Sequence, residues 1–184
     1  MPAALLSKEE VLARLMATFR SDGYDGASLA ELSQRTGLGK SSLYHYFPGG
    51  KAEMATAVLA HLETVLSDAF ASALAGKTPE VQLARLLEGV NEFYAGGKTA
   101  CILERLAASV DRAQFKRPLT KAFAGFVGAF AQIGRSAGLP EKDVRARAED
   151  AVVRIEGALV LAAATGDTSV FARALSQIRS TFLT

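Results

Sequence analysis

The segment Thr36-Gly-Leu-Gly-Lys-Ser-Ser-Leu-Tyr-His-Tyr-Phe-Pro-Gly-Gly-Lys51 limits the possible folds more than any other part of the chain. Gly37 and Gly39 supply a place where one helix must stop and turn. Lys40 to Phe47 then contains neither Gly nor Pro and reads as one short helix, closed by Pro48-Gly49-Gly50. At about 3.6 residues per turn, Lys40, Ser41, Tyr44 and His45 share one arc. Leu43 and Phe47 fall on the other side, where they can dock on a core. Between Gln34 and Ala52 the charged residues are Arg35, Lys40 and Lys51, with no Asp or Glu. A small cationic helix carrying hydroxyls and aromatics at the end of a turn suits a DNA groove.

The residues upstream complete a domain around that helix. Ser28-Leu-Ala-Glu31 is a capping box, and it opens a short helix over about 28–35 that buries Leu29 and Leu32. Leu38 can tuck beneath this helix and the next. Ser7-Lys-Glu-Glu10 is a second capping box. Its helix places Val11, Leu12, Leu15, Met16 and Phe19 on one stripe and is expected to end near Asp22-Gly23. Three helices with a glycine turn between the second and third make a helix-turn-helix domain. A plain helical hairpin with an idle outer face explains the helices, but not the absence of acids beside Tyr44, His45 and Tyr46.

Gly23-Tyr24, Ser28-Leu-Ala-Glu-Leu32, Gly37-Leu-Gly-Lys-Ser-Ser-Leu-Tyr-His-Tyr-Phe47 and Lys51-Ala-Glu-Met54 together resemble the amino-terminal domain of the TetR family of transcriptional repressors. The resemblance covers about the first third of the chain. It implies an all-α homodimer with two DNA-reading heads and a core that binds a small molecule and then releases DNA. Pro48-Gly49-Gly50 makes the loop before Lys51 one residue longer than is usual there. In this the chain is similar to a branch of lincomycin- and flavonoid-responsive repressors. Carried onto the matching positions, Lys40 and Ser41 face base edges, with Lys40 able to donate to guanine O6 and N7. Tyr44 stacks on a thymine methyl or bonds a phosphate. Ser42, His45, Tyr46 and Lys51 face phosphates, as does Ser28 from the preceding helix.

Composition bounds the remainder. A chain of 184 residues with 49% hydrophobic and 22% charged content can hold the small head plus one larger buried core. The net charge of +2 does not announce nucleic acid by itself, so the local patch carries that argument. No apolar run is expected to approach the ~20 residues that span a bilayer. The opening Met-Pro-Ala-Ala-Leu-Leu-Ser-Lys lacks the pattern of a secretion signal. The single cysteine excludes an intrachain disulfide and suits a reducing cytoplasm, the expected location.

Beyond Lys51 the periodicity is helical almost throughout, with no strand alternation. The expected segments are about 52–74, 79–95, 101–110, a helix from near Pro118 to before Gly138, 141–165 and 168–182. The chain thus reads as an all-α protein of about nine helices. Residues 1–51 form the DNA-binding head and 52–184 the effector-binding and dimerisation domain. Helix 52–74 would join the head mechanically to the body. Phe123, Phe126 and Phe130 form an aromatic stripe, with Phe93 and Tyr94 nearby in the helical order. Such a stripe is ordinarily core. The resemblance implies instead an apolar effector pocket among the middle helices, lined by Phe93, Tyr94, Leu103, Leu106, Phe123, Phe126 and Phe130.

Glu156 sits in an otherwise apolar run and must find water, a cation or a hydrogen-bond partner. An ion pair at a subunit interface or core rim is the plainer reading, and a polar anchor for the effector the sharper one. Cys101 reads as a small buried apolar residue rather than a redox switch. Val152, Ile155, Leu159 and Ala163 form one face of the penultimate helix. Phe171, Leu175, Ile178 and Phe182 line the last. Two such helices meeting their copies would make a four-helix bundle, the dimer implied by the resemblance.

The function expected is that of a ligand-responsive regulator: a repressor bound as a dimer to a palindromic double-stranded operator and released by a small apolar or aromatic effector. Two rivals remain. A non-specific architectural DNA binder would call for a more basic chain and leaves the apolar body unexplained. An enzyme would need a constellation the sequence lacks, since His45 and His61 belong to no HExxH or CxxC pattern and no GxSxG, P-loop or dinucleotide fingerprint occurs. No metal, cofactor or membrane partner is expected.

Overall fold

The computed structural model describes residues 6–184; the leader reading, which rests mainly on Met1 to Leu5, lies outside them. The described residues form nine α-helices and no strand: α1 Lys8–Gly26, α2 Leu29–Thr36, α3 Lys40–Tyr46, α4 Gly50–Leu74, α5 Pro79–Phe93, α6 Ile102–Ala107, α7 Lys116–Ser136, α8 Glu141–Thr165 and α9 Ser169–Thr181. Short 3-10 turns occupy Ala95–Gly97 and Arg112–Phe115. The all-α class is therefore as expected.

Local chemistry sets most of the boundaries. Ser7 and Ser28 each accept a bond from the backbone N–H three residues on, at 3.2 Å, while Glu10 and Glu31 reach back to the cap N–H at 2.8 Å. Thr78 caps α5, with Pro79 at its first position. α1 does not end at Gly23. That glycine takes φ +70° inside the helix, and the chain resumes helical turns to Gly26. The expected helix over 101–110 shortens to Ile102–Ala107, and the 3-10 turn Arg112–Phe115 had no signature in the sequence.

The chain forms two compact units. The first comprises the described residues up to Glu63 together with Ile102–Leu119; the second comprises Thr64–Cys101 and Thr120–Thr184. The boundary drawn at residue 51 thus falls near the start of α4, and the first unit takes in α6 as well. Its core collects Leu15 and Phe19 of α1, Leu32 of α2, Leu43 of α3, Met54 and Leu62 of α4, Leu106 of α6, and Phe115, all nearly inaccessible. Packing α6 on α1 is what draws residues 102–119 into this unit. In the second unit α8 packs on α9, and α9 also meets α5. Gly97, at φ +90°, lies so close to α9 that a Cβ there would stand 2.8 Å from the Cβ of Phe171, so this turn requires glycine. Arg147 Nη1 donates to the carbonyls of Thr181 and Phe182 at 3.4 and 3.3 Å, closing the end of α9.

One sequence expectation is corrected by α4. Gly50–Leu74 is long and apolar enough, by length and composition, to cross a membrane. Met54, Ala55, Val58, Leu59 and Leu62 in its first half are buried, but only 22% of the apolar window is. Isolated Glu, Asp and His residues interrupt the segment without lowering its mean hydropathy below that of a spanning one.

Candidate nucleic-acid interface

The turn between α2 and α3 is built from short-range bonds. Gly37 ends α2 in the left-handed region at φ 74°, and its N–H donates to Ser33 and Gln34. Ser33 Oγ donates to the Leu38 carbonyl at 2.6 Å. The Thr36 hydroxyl, fully buried, donates to the Leu32 carbonyl at 2.6 Å. Arg14 of α1 donates to the Thr36 carbonyl at 2.8 Å, a tie that pattern reading of α1 did not reveal. The turn is therefore held from both sides before any ligand arrives.

On that support α3 buries Leu43, 1% exposed, with Phe47 beside it at its end, 2% exposed. Lys40, Ser41, Ser42, Tyr44 and His45 are exposed and Tyr46 is half-buried. The ring of Tyr44 passes over the loop: a Cβ added to Gly50, which has φ +67°, would lie 3.6 Å from the ring edge. The second glycine of Pro48-Gly49-Gly50 thus occupies a left-handed position beneath the Tyr44 side chain. Gly49 N–H donates to Glu53 at 2.6 Å, which gives the loop a cap from inside α4.

The three cations of this region are in different states. Arg35 donates to Ser21 at 3.0 Å and pairs with Asp22 at 3.1 Å, so it fastens α2 to α1. Lys51 Nζ donates to the Tyr24 carbonyl at 2.8 Å and lies 4.5 Å from the centroid of the Tyr24 ring. An ammonium has three donors, so two remain after the Tyr24 bond. Lys40 is exposed and makes no ion pair among the described residues. Ser28 is exposed and its oxygen accepts the Glu31 N–H.

Tyr24 was part of the sequence resemblance but received no role there. It is nearly buried, stacks with Phe19 at 6.1 Å and meets Phe115 edge-on at 5.0 Å. Burial pushes its phenol pKa up, with Asp111 and Asp25 adding to the rise and a hydrogen bond with Gln114 opposing it. The phenol is thus neutral at any physiological pH. The sequence signal that could have revealed this role is the pairing of an aromatic just past a glycine kink with a lysine that opens a later helix. Nothing local joins them.

The other nominated residues separate by unit. Leu103 and Leu106 are buried in the first unit, where α6 lies on α1. Phe93, Tyr94, Phe123, Phe126 and Phe130 belong to the second unit. There Phe126 stacks on Phe70 at 5.7 Å and touches Phe130, which meets Phe182 at 5.3 Å. Tyr94 touches Phe93 at 5.0 Å and Phe171 at 6.0 Å. Its hydroxyl donates to Cys101 Sγ at 3.4 Å, and Cys101 is buried, as a small apolar residue would be. Phe123 and Glu156 are half-buried.

The face nominated for dimerisation is mostly covered within the protomer. Val152, Ile155, Leu159, Phe171, Leu175 and Ile178 are all buried within the single chain, and only Ala163 of that set is exposed. The strongest apolar stripe of a helix goes to its own core first. The exposed apolar residues of α8 lie on a second stripe, with Val153 at 67%, Val160 at 52% and Leu161 at 53% exposure.

The fold and the polar outward face of α3 define a helix-turn-helix protein with an all-helical body. Residues 7–58 match the family model of the bacterial regulatory proteins, tetR family. Residues 7–58 are therefore similar to the amino-terminal domain of that family. The HTH-type transcriptional regulator LmrA of Bacillus subtilis is 39% identical over 49 residues, 27% of this chain and 26% of that protein. YxaF, an uncharacterized HTH-type transcriptional regulator of the same organism, matches to the same extent. The chain thus spans about a quarter of the length of these curated relatives. Its whole length has the fold of a TetR transcriptional regulator from Legionella pneumophila, with a TM-score of 0.87 at 17% identity over 98% of this chain and 99% of that one. A regulatory protein TetR from Rhodobacter sphaeroides shares the fold at a TM-score of 0.77 and 22% identity, over 95% and 96% of the two chains.

Proposed function

We propose that the protein is a ligand-responsive transcriptional repressor, working in the cytoplasm, that binds a palindromic operator as a homodimer and leaves it when a small apolar or aromatic effector occupies the second unit. The observation that carries this reading is the division of α3: Leu43 and Phe47 are buried while Lys40, Ser41, Ser42, Tyr44 and His45 face outward. Lys40, without an ion pair, is free to donate to a base edge, with Ser41 and Tyr44 beside it. Ser28, Ser42, His45 and Tyr46 serve phosphates. Lys51 offers its two remaining donors to another, already held in place by Tyr24.

Reading a palindrome needs two heads about 34–36 Å apart, or a multiple of that. The surface we assign to the second copy is the exposed stripe Val153, Gly157, Val160, Leu161 and Ala164, in place of the buried one. A Cβ on Gly157 would meet nothing within 4 Å, so a partner helix can approach closely there. The aromatic cluster of Phe70, Phe126, Phe130 and Phe182 supports an apolar or aromatic effector over a charged one. Release then requires the effector to bind the DNA-free arrangement more tightly than the DNA-bound one.

The test is selection of genomic DNA by the purified protein at controlled salt. A single enriched palindrome, lost in Tyr44→Ala, is the expected result. Binding without sequence preference would refute the repressor reading in favour of an architectural one.

A further inference from the structure

The segment that follows α6 holds a second concentration of positive charge, and it belongs to the first unit. Arg112, Lys116 and Arg117 are exposed and enter no ion pair among the described residues. Asp111 is the acid on the same segment, and it too is exposed. Without this segment the head is not basic. Over residues 6–63 six cations (Lys8, Arg14, Arg20, Arg35, Lys40, Lys51) face seven acids (Glu9, Glu10, Asp22, Asp25, Glu31, Glu53, Glu63), a net of −1. A protein that reads DNA with such a head has to find its non-specific attraction elsewhere.

Two contacts fix the basic segment beside the end of α1 and the Lys51 side chain. Val110 N–H donates to Asp25 Oδ2 at 3.0 Å, at the junction of α1 and α2. Phe115, fully buried, meets the Tyr24 ring at 5.0 Å, and that ring carries Lys51 Nζ at 4.5 Å from its centroid. Lys116 and Arg117 follow Phe115 directly in the chain. The ammonium assigned to an operator phosphate and the basic segment are therefore held by the same tyrosine. Asp25 of α1 is engaged by the Val110 amide.

We propose that Arg112, Lys116 and Arg117 form a third DNA-contacting element, which grips phosphates beyond those served by α2, α3 and the start of α4. This rests on the repressor reading and deepens it. The element carries no sequence information. It supplies affinity and salt dependence and lengthens the contact along the backbone. Duplex DNA presents one charge per about 1.7 Å of axis, so three added cations per head engage phosphates without any base contact.

The experiment compares full-length wild type with Arg112→Gln/Lys116→Gln/Arg117→Gln on two probes, the enriched palindrome and an unrelated duplex of about 30 base pairs. Affinity is read from about 50 to 300 mM salt. Lys142→Gln, an exposed cation of α8 in the second unit, serves as a charge control. Each phosphate contact adds about 0.9 to the slope of log K against log salt. The triple variant should flatten that slope by about 2 to 5 on both probes, keep the preferred palindrome and shorten the protected footprint, while Lys142→Gln changes none of these. An unchanged slope and footprint would overturn the proposal. So would an unchanged slope with lost binding to phosphatidylserine vesicles, which would assign the cations to a membrane surface. Should the wild type enrich no palindrome, the repressor reading fails on its own, and the unrelated duplex still decides the fate of the basic segment.

Discussion

In α3 both apolar residues at the docking face, Leu43 and Phe47, are used up by the core, and what faces outward is hydroxyl, imidazole, phenol and ammonium. In α8 the core is satisfied just as completely, by Val144, Ala148, Val152, Ile155 and Leu159, yet Val153, Val160 and Leu161 remain outside. The difference separates two kinds of partner. A polar, acid-free face with a free lysine is suited to phosphates and base edges, which demand donors. A stripe of valine, leucine and glycine offers almost no donors and gains only by excluding water, so it is suited to another apolar helix. Depletion of charge distinguishes the second surface, and depletion of acids the first.

The sharpest way to break this comparison is to charge the outward stripe of α8. Val153→Glu/Leu161→Glu should leave the chain folded, because both side chains are exposed in the protomer. It should convert the dimer to a monomer by analytical ultracentrifugation. Losing the linkage of two heads should then lower operator affinity by roughly 100-fold or more. Ile155→Ala, one helical step away and fully buried, should do the opposite: cost about 2–5 kcal/mol of stability by chemical denaturation while the native fraction stays dimeric. A double glutamate variant that remains dimeric would place the subunit contact elsewhere.

Lys40 and Lys51 refine the polar half of the comparison. Lys40 makes no ion pair among the described residues, whereas Lys51 is anchored to the Tyr24 carbonyl and ring. Lys40→Ala should relax base preference at one operator position by about 1–3 kcal/mol, read by competition among single-base variants of the operator. Lys51→Ala should weaken binding to every sequence alike and lower the salt slope by about 1 per head. If Lys40→Ala changes neither affinity nor preference, the outward arc of α3 is oriented differently on DNA.

The legibility of these features in the sequence follows from how far apart their parts lie. The caps at Ser7 and Ser28, the stop at Gly37 and the sidedness of α3 are set within a turn or two of chain, so residue spacing reveals them. The same holds for the nine helices, apart from the continuation of α1 past Gly23. Membership of α6 in the first unit was not legible, because it depends on α1 meeting a helix almost a hundred residues away. The anchoring of Lys51 by Tyr24 spans 27 positions and includes a backbone carbonyl, which no pattern of side chains encodes. The burial of the nominated dimer face within the protomer was not legible for a different reason. Periodicity ranks stripes by apolarity, and the richest stripe of α8 is the one its own chain covers. A second, weaker stripe signals a partner only when burial is known.

The smallest effect concerns the capping box that positions α2 beneath the operator-facing turn. Glu31 has its carboxyl held below the ordinary glutamate pKa, chiefly by the Ser28 backbone N–H, with the Ser28 hydroxyl assisting. A carboxylate whose pKa is depressed by folding contributes stability that is fully present above its unfolded pKa. That contribution is lost as pH falls through the lower folded value. The head should therefore lose this part of its stability only in the acid limb, with nothing to lose near neutrality. In Glu31→Gln the amide oxygen can still accept the Ser28 N–H but cannot titrate. The variant should show a slightly lower thermal midpoint at neutral pH and a shallower fall between about pH 5 and 3, where the free carboxylate titrates. A parallel displacement of the whole curve, with the acid limb unchanged, would mean that the bond is made but its charge contributes nothing. The outward face of α3 would then owe its placement to the Arg14, Thr36 and Gly37 contacts alone.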